Sequence, residues 1–401
     1  MRIERIREDR VEGWDRIMAD VIWEDREAPA QTLVIQARDP FGADLQPSCD
    51  AMLVALLPLA QWMGERRVRI EGTICCRLRD GLGAATDLFS LWYQRCGPLR
   101  IEPSHGFAPT VPRREPRAAS LLSGGIDALS LLRANRLEYR ADHPGFIRDC
   151  FLLFGLNSFD ADAEGPKAER LAVFDALVAR MEPFAARAGA MLIPIRTNIR
   201  ALYPDYVSWQ SVGFGAGMLS AALSMPGRID RVELGSAGVA MRQPPRGSHP
   251  WLDHHYSTEA VTVRHAQVPL SRFEKTRLVS DWADGLAVLR TCFYQTIPAP
   301  GLINCGECEK CIRTMLALVA LGKLDRAPTF AANDVSPSML DCVHIDDQLG
   351  VLYYSQCIDA LIARNREDLA GPLRQKIDAF RRRERRQRLR ALVKKIVRFG
   401  R

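Results

Sequence analysis

Hydrophobic and polar positions follow two distinct periods in the first third of the chain. Residues 32–38 (TLVIQAR) and 66–72 (RRVRIEG) have the period of two that is typical of strands. Residues 49–64 (CDAMLVALLPLAQWMG) have the apolar spacing of a helix, and Ser48 is in position to cap its N-terminus. This part of the chain is therefore predicted to be α/β.

Residues 1–105 are predicted to form a small accessory α/β domain. A second helical pattern, over residues 85–96, belongs to it. The next segment, PSHGFAPTVPRREP, has four prolines and no apolar period, which is typical of a linker. We place this linker at residues 106–116.

Beyond the linker, strand and helix patterns alternate through residues 117–290. Apolar strand segments occur at residues 119–122, 149–157, 190–195 and 231–236. Helical patterns begin near Asp127 and cover residues 166–188 and 212–225. This alternation predicts parallel βαβ units and a doubly wound, mostly parallel sheet. Such a sheet binds ligands beyond the carboxyl ends of its strands.

Composition limits the class of protein. The chain has 401 residues, of which 47% are hydrophobic, so it can bury more than one core. No segment approaches the roughly 18 consecutive apolar residues of a membrane span. The first 30 residues are rich in charge, unlike a signal peptide. We expect a soluble, cytoplasmic protein without a transmembrane segment.

The positive charge is concentrated at the C-terminus. The net charge is +7, but the segment from Arg374 to Arg401 has 13 Lys or Arg and only two acidic residues, which leaves the other 373 residues at −4. Apolar residues at 389, 392, 393, 396 and 397 form a helical stripe beside these arginines. Residues 346–401 are therefore predicted to be helical with a basic tail. RNA, an acidic partner or an anionic membrane surface would suit this tail, and a solvated helix docked on the body is the alternative.

A glycine pair lies where an apolar strand becomes a helix. Ser123, Gly124 and Gly125 follow the strand, and the helix begins near Asp127. Unpaired N–H groups and the helix dipole at such a turn attract an oxyanion, and glycines let a phosphate approach the backbone. The sequence fits neither the Walker A loop nor the dinucleotide fingerprint. It predicts an oxyanion site, with a tight turn that binds no ligand as the alternative.

Four of the eleven cysteines have the spacing of metal ligands. Cys305, Cys308 and Cys311 follow one another at intervals of three, and Cys292 lies upstream. Gly306 eases the turn between the first two, and Cys292 can complete a tetrahedral S4 site. We predict a closed structural zinc site within residues 291–345, with an iron–sulfur cluster or plain buried thiols as alternatives.

The SGGID sequence resembles the PP-loop of the ATP pyrophosphatase superfamily, which has a HUP-like sheet. SGGID followed by the cysteine cluster is similar to the 7-cyano-7-deazaguanine synthase family, over about residues 117–320. The resemblance implies an ATP- and Mg²⁺-dependent ligase. Such an enzyme adenylates the carboxylate of 7-carboxy-7-deazaguanine, releases pyrophosphate, and uses ammonia to form the amide and then the nitrile.

The resemblance also implies site residues. Those expected to act in catalysis are Ser123, Asp127 and Lys275. Those expected to bind ATP are Ser123, Gly124, Gly125, Ile126, Asp127, Gly155, Leu156, Asn157, Gly235, Ser236, Arg272 and Lys275. Gly155 to Asn157 would lie near the adenine. For Arg272 and Lys275 an exposed basic helix face is the alternative.

Two departures from the family leave other functions open. Ala128 stands where a serine or threonine is usual, and residues 242–258 (RQPPRGSHPWLDHHYST) replace the family's substrate loop. His249, Trp251, Asp253, His254 and His255 are candidates to face the base or a different nucleophile, and a polar surface loop is the alternative explanation of the three histidines. The alternatives are a relative in bacterial antiviral defence that joins the base to a protein amine, a non-catalytic binding module, and a tRNA-modifying enzyme. A homodimer is a further expectation.

Overall fold

The computed structural model describes residues 1–107, 115–156, 168–292 and 302–399, with side chains up to residue 390. These residues form two compact units. The first unit comprises Met1–Ser236 and Gln243–Val268, and the second comprises Ala237–Arg242 and Pro269–Arg401. Asn157, which was predicted near the adenine, lies outside the described residues.

The first unit contains a sheet of ten described strands. They are β1 (Arg2–Val11), β2 (Trp14–Ile22), β3 (Gln31–Arg38), β4 (Arg67–Ile70), β5 (Arg100–Pro103), β6 (Ala118–Leu121), β7 (Ile147–Phe154), β8 (Met191–Thr197), β9 (Arg231–Gly235) and β10 (Thr262–Ala266). Their order is β10-β9-β6-β7-β8-β3-β2-β1-β4-β5. The pairs β8–β3, β3–β2 and β2–β1 are antiparallel, and the other neighbours are parallel. The prediction of an α/β fold with a mostly parallel sheet is therefore confirmed.

Helices pack against this sheet in the first unit. They are α1 (Cys49–Trp62), α2 (Cys76–Trp92), α3 (Ile126–Glu138), α4 (Ala168–Arg187), α5 (Tyr206–Ser208) and α6 (Phe214–Leu223), with a π-helical turn at Trp209–Gly213. Ser48 caps α1 as predicted, because its Oγ accepts a hydrogen bond from the N–H of Ala51 at 3.2 Å. Residues 51–62 of α1 are buried, which explains the nearly continuous apolar run.

The second unit is helical in its described residues. It contains α7 (Arg272–Ser280), α8 (Ala283–Leu286), α9 (Glu309–Leu321), α10 (Gln348–Ile362) and α11 (Glu367–Phe399). The predicted helical C-terminus is thus present. Among the described residues, no helix combines the length and the apolar character needed to cross a membrane.

The strands of residues 1–105 belong to the same sheet as those of the predicted ATP-binding region. β3 pairs with β8, and the Asn198 side chain extends this contact. Its Oδ1 accepts from the N–H of Val34 at 2.8 Å, and its Nδ2 donates to the carbonyl of Thr32 at 2.7 Å. The domain boundaries drawn at residues 105, 116, 290 and 345 remain predictions.

The order of the parallel strands reverses beside β6. The chain proceeds from β6 to β7 and β8 on one side, and then returns to β9 on the other side of β6. A doubly wound sheet opens a crevice at such a reversal, outside the carboxyl ends of the two strands that flank it. The fold therefore places a candidate ligand edge at the ends of β6 and β9.

A buried ion-pair network joins the opposite, amino ends of the central strands. Asp149 on β7 is fully buried and pairs with Arg117 at 2.5 Å and with Arg228 at 2.9 Å. Arg228 also pairs with Asp44 at 2.7 Å, and the N–H of Arg117 donates to Asp230 at 2.6 Å. The network thereby fixes the segments that lead into β6, β7 and β9.

We expect Asp149→Ala to lower the free energy of unfolding by about 3–5 kcal/mol, because removal of one partner leaves buried arginine charge uncompensated. Chemical denaturation followed by circular dichroism measures this loss. Asp9→Ala is the matched control, because Asp9 pairs with Arg16 at the protein surface, and its effect should be much smaller. Equal losses in the two variants would contradict the structural role of the buried network.

Candidate functional site

The glycine pair forms the turn between β6 and α3. The N–H of Leu122 still donates to the Phe151 carbonyl at 2.8 Å, so β6 holds its register up to the turn. Gly124 then adopts φ +78°, a left-handed conformation that favours glycine. Gly125 is the N-cap residue of α3 and supplies no side-chain cap. The turn therefore directs a helix N-terminus toward the carboxyl edge of the sheet.

Ser123 is the exposed polar side chain of this turn. Its Oγ accepts a hydrogen bond from the N–H of Gly125 at 3.3 Å, which holds the hydroxyl beside the glycine backbone. Ile126 is 5% exposed, so it presents its backbone rather than its side chain to the edge. Ala128 is half-buried, and so is Asp127. The SGGID residues are thus gathered at one end of α3.

Glycines also end the two strands next to β6. A Cβ on Gly235, at the end of β9, would lie 2.5 Å from the carbonyl oxygen of Asp127. A Cβ on Gly155, just after β7, would lie 1.6 Å from the carbonyl oxygen of Thr197, and Gly155 has φ +93°. Both contacts are backbone approaches that only glycine allows. The structure therefore brings Gly235 directly against the glycine turn and seats Gly155 against the end of β8.

Ser236 and Leu156 are buried rather than open to the edge. The N–H of Ser236 donates to the Ala266 carbonyl at 2.9 Å, and its Oγ accepts from Gln243 Nε2 at 2.6 Å. Ser236 thus joins the ends of β9 and β10. Gln243 was not predicted, since an isolated glutamine in a loop gives no sequence signal. Leu156 is 8% exposed and contributes to the core.

Arg272 and Lys275 lie on α7 in the second unit. A capping box begins this helix, because Ser271 Oγ accepts from the Glu274 N–H and the Glu274 carboxylate accepts from the Ser271 N–H. Lys275 is fully buried and Arg272 is half-buried. The alternative of an exposed basic helix face is therefore wrong for Lys275.

The loop of residues 242–258 places its predicted residues in different environments. His249 is 2% exposed, and its ring lies between Trp92 and Trp251, with centroid distances of 5.2 and 5.3 Å. Burial lowers the pKa of His249. The rings of His254 and His255 lie 4.0 Å apart, and burial followed by the neighbouring His254 lowers the pKa of His255.

The four predicted metal ligands converge in the second unit. Their sulfur atoms all lie within 4.8 Å of one another. Cys305 Sγ is 3.8 Å from Cys311 Sγ, and Cys308 Sγ is 3.9 Å from Cys292 Sγ. A metal–sulfur bond of about 2.3 Å places the ligands of a tetrahedral site about 3.8 Å apart. The cluster therefore has the spacing that a four-coordinate ion requires.

The backbone around Cys305 favours the thiolate form of its side chain. Gly306 has φ +75°, and this turn directs the N–H groups of Glu307 and Cys308 to Cys305 Sγ at 3.4 and 3.3 Å. Although burial opposes the shift, these hydrogen bonds lower the pKa of Cys305. Burial raises the pKa of Cys311, the most enclosed ligand, so its thiolate needs the charge of a cation.

Asn304 holds the two halves of the cysteine cluster together. Its buried Oδ1 accepts from the N–H of Thr291 at 2.8 Å and of Cys292 at 3.2 Å, and its Nδ2 donates to the Leu289 carbonyl at 2.8 Å. The distant ligand Cys292 is thereby fixed beside Cys305. The sequence did not predict this role, because one asparagine before a cysteine has no distinctive pattern. The cluster can hold a metal ion, and its four thiolates are consistent with zinc.

Comparison of the chain with family models, with curated proteins and with solved structures gives no match. The α/β fold and the metal-binding geometry are established by the structure itself. The similarity to the synthase family rests on the SGGID and cysteine motifs.

We expect Asn304→Ala to weaken metal retention about 10- to 100-fold, because the residues that orient metal ligands commonly have effects of this size. Elemental analysis after dialysis against graded chelator measures the retention. Cys308→Ser should lose the ion altogether, and Cys76→Ser, which changes an exposed cysteine outside the cluster, should keep it. Retention that is unchanged in Cys308→Ser would contradict the S4 site.

Proposed function

We propose that this protein is an ATP-dependent ligase of the PP-loop type, similar to 7-cyano-7-deazaguanine synthase. It binds ATP at the carboxyl edge of β6 and converts the carboxylate of 7-carboxy-7-deazaguanine to an acyl adenylate. One observation carries the proposal: the left-handed turn at Gly124 begins an uncapped helix at the point where the strand order reverses. An oxyanion is the ligand that best suits this combination.

The proposed chemistry requires positioning rather than a protein nucleophile. A carboxylate oxygen of the substrate attacks the α-phosphorus of ATP, and the bond to pyrophosphate breaks. Backbone N–H groups at the start of α3 and the Ser123 hydroxyl stabilise the diphosphate as it leaves. Asp127 would hold a Mg²⁺ ion, which would neutralise charge on the phosphates. Ammonia then displaces AMP to give the amide, and a second activation gives the nitrile.

The glycines at the strand ends support the position of the turn. Gly155 and Gly235 let the ends of β7 and β9 pack directly against the Thr197 and Asp127 backbones, which holds the start of α3 at the edge proposed to bind the phosphates. Lys275 and Arg272 on α7 are proposed as phosphate contacts. This assignment follows the family resemblance alone.

We propose that the cysteine cluster holds zinc as a structural ion. All four ligands are protein thiols, so no coordination position is left for a substrate. The three clustered cysteines lack the fourth nearby cysteine and proline of a ferredoxin-type iron–sulfur run. Elemental analysis should find one zinc per chain, and iron with acid-labile sulfide would contradict the assignment.

The basic part of α11 is proposed to bind RNA. Residues 381–390 contain seven arginines and one glutamate, and nine of the ten residues are exposed. Arg382, Arg386 and Arg390 recur every four residues and line one shallow groove along the helix. A row with about 6 Å between its charges suits contact with successive phosphates. An acidic protein or an anionic membrane surface would be the partner if RNA does not bind.

We expect the protein to release pyrophosphate from ATP only when 7-carboxy-7-deazaguanine is present. Ser123→Ala should raise the KM for ATP, and Ala128→Ser should lower it, each by about 10-fold or more, because a hydrogen bond to a charged phosphate contributes roughly 1.5–3 kcal/mol. A coupled pyrophosphate assay with metal-loaded protein measures both. Ser104→Ala, at an exposed serine outside the turn, is the matched control.

The products of this assay separate the alternative functions. An amide or nitrile identifies ammonia as the acceptor, whereas a deazaguanine joined to a protein amine identifies the conjugating variant. Pyrophosphate release with a tRNA substrate in place of the deazaguanine acid would indicate tRNA modification. If no pyrophosphate is released with any of these substrates, the ligase proposal is wrong, and a non-catalytic binding module is the remaining alternative.

We expect the triple variant Arg382→Gln, Arg386→Gln, Arg390→Gln to reduce the slope of log affinity for RNA against log salt concentration by about 2, at roughly 0.7 per lost phosphate contact. Fluorescence anisotropy over a salt series measures this slope. A control triple variant, Arg66→Gln, Arg79→Gln, Arg140→Gln, removes the same charge from exposed sites of the first unit. Equal slopes in the two variants would show that α11 is not the binding surface.

A further inference from the structure

A buried carboxylate–imidazole pair lies between the 242–258 loop and β10. Asp253 is fully buried, and its Oδ2 lies 2.7 Å from His265 Nδ1. Its carboxylate also accepts from the Ser248 hydroxyl at 2.8 Å and from the His249 N–H at 3.2 Å. These contacts fix the carboxylate, which places the proton of the neutral imidazole on Nδ1. The lone pair of Nε2 is thus left free to accept a proton.

The other ring nitrogen of His265 has no protein partner among the described residues. Its Nε2 is buried without a hydrogen bond, and the side chain as a whole is 4% exposed. A buried acceptor that has lost its water without gaining a partner is destabilising. The geometry therefore provides an acceptor that a small N–H or O–H donor would satisfy.

His265 lies at the same edge of the sheet as the glycine turn. It pairs with Leu234 in the parallel β9–β10 register, one position before Ala266 pairs with Gly235. Gly235 in turn lies against the Asp127 backbone. Since adjacent strands are about 4.8 Å apart, the β10 backbone runs about 10 Å from that of β6. Side chains alternate along β9, so Leu234 and its register partner His265 lie on the face opposite to the one that Gly235 turns toward Asp127. An acyl adenylate whose phosphate is held at the turn reaches the imidazole by extending over the edge between β6 and β9.

The surroundings of the pair favour an amine over an anion. Asp253 brings negative charge, and the hydroxyl of Tyr256, on which this carboxylate acts, is buried without a hydrogen-bond partner among the described residues. Burial, reinforced by Asp253 and Tyr203, raises the pKa of Tyr256 well above its ordinary value, so this hydroxyl stays neutral. Neutral hydroxyls and an imidazole lone pair can accept from N–H groups, whereas the carboxylate repels phosphate.

The histidines of the 242–258 loop are less suited to proton transfer than His265. His249 Nδ1 accepts from the Trp251 N–H at 3.1 Å, so one of its lone pairs is engaged within the loop. His254 is exposed and its Nδ1 lies 3.3 Å from the Pro250 carbonyl. His265, in contrast, has a direct hydrogen bond to a carboxylate, which stabilises the imidazolium form.

We propose that His265 is the general base for the nitrogen nucleophile that attacks the acyl adenylate, and that Asp253 positions it. The inference rests on the ligase proposed above. The amine nitrogen forms a bond to the acyl carbon, the bond from that carbon to the AMP oxygen breaks, and AMP leaves with the electron pair. The amine proton passes to His265 Nε2 and is released to solvent once the products have left. Asp253 stabilises the imidazolium formed between these steps.

His265→Asn tests this role, because its amide can still donate to Asp253 while the Nε2 acceptor is lost. ATP–pyrophosphate exchange that depends on added 7-carboxy-7-deazaguanine reports adenylation alone. Its rate in the variant should stay within about threefold of the wild-type rate. Amide formation from ammonia should fall about 10²- to 10⁴-fold, as expected for loss of a general base. His105→Asn, at an exposed histidine, is the matched control and should change neither rate.

Hydroxylamine distinguishes proton transfer from a merely structural role. It is largely unprotonated at neutral pH and needs little help from a base, so the deficit of His265→Asn should shrink at least tenfold when hydroxylamine replaces ammonia. An equal deficit with both nucleophiles would overturn the proposal. Loss of exchange in a folded His265→Asn protein would also overturn it, because the residue would then serve binding or adenylation.

Two further outcomes are separable from these. If the wild-type protein shows no ATP–pyrophosphate exchange that depends on the deazaguanine acid, both the ligase proposal and the general-base proposal are wrong. If exchange occurs and His265→Asn has no effect on amide formation, only the general-base proposal is wrong. If the variant does not fold, a solvent isotope effect on the wild-type protein provides the test. Wild-type ammonolysis of the acyl adenylate should be slower in D₂O than in H₂O, while the rate of ATP–pyrophosphate exchange is unaffected. The absence of this difference would contradict proton transfer in the rate-limiting step.

Discussion

The close approach of backbone to backbone at the carboxyl ends of β6, β7 and β9 is the constraint on which the candidate site depends. A Cβ at position 235 would collide with the Asp127 carbonyl, and one at 155 with the Thr197 carbonyl. Gly124 supplies the left-handed residue that turns the chain into α3. These close approaches hold the N-terminus of α3 at the carboxyl edge, where we propose that a phosphate binds. The ion pairs of Asp149 lie at the opposite edge, away from the proposed ligand site.

Local patterns in the sequence were sufficient for many elements of the fold. The Ser48 cap, the β6–α3 turn and the convergence of the four cysteines follow from short-range preferences for capping, for left-handed glycine and for ligand spacing. The β1–β2 hairpin was not predicted, because β1 is mostly charged and exposed. Its two-residue turn at Glu12 and Gly13, both with positive φ, was the available signal.

Long-range contacts were beyond the reach of these patterns. Nothing in residues 31–38 indicates that β3 pairs with β8 and so joins the first 105 residues to the central sheet. Asn304 and Gln243 act through hydrogen bonds to residues 7 or more positions away, and neither has a distinctive neighbourhood in the sequence. The histidines of the 242–258 loop were recognised as candidates, but His265 on β10, which pairs with Asp253, was not.

Glycine-labelled NMR during titration with Mg²⁺ and ATP detects nucleotide binding at the end of β6. We expect the amide resonances of Gly124, Gly125, Gly155 and Gly235 to shift together and saturate at one ATP per chain. Those of Gly13 and Gly64, which lie in turns outside this edge, should stay in place. Shifts confined to other glycines, or no shift at saturating ATP, would contradict a nucleotide site at the end of β6.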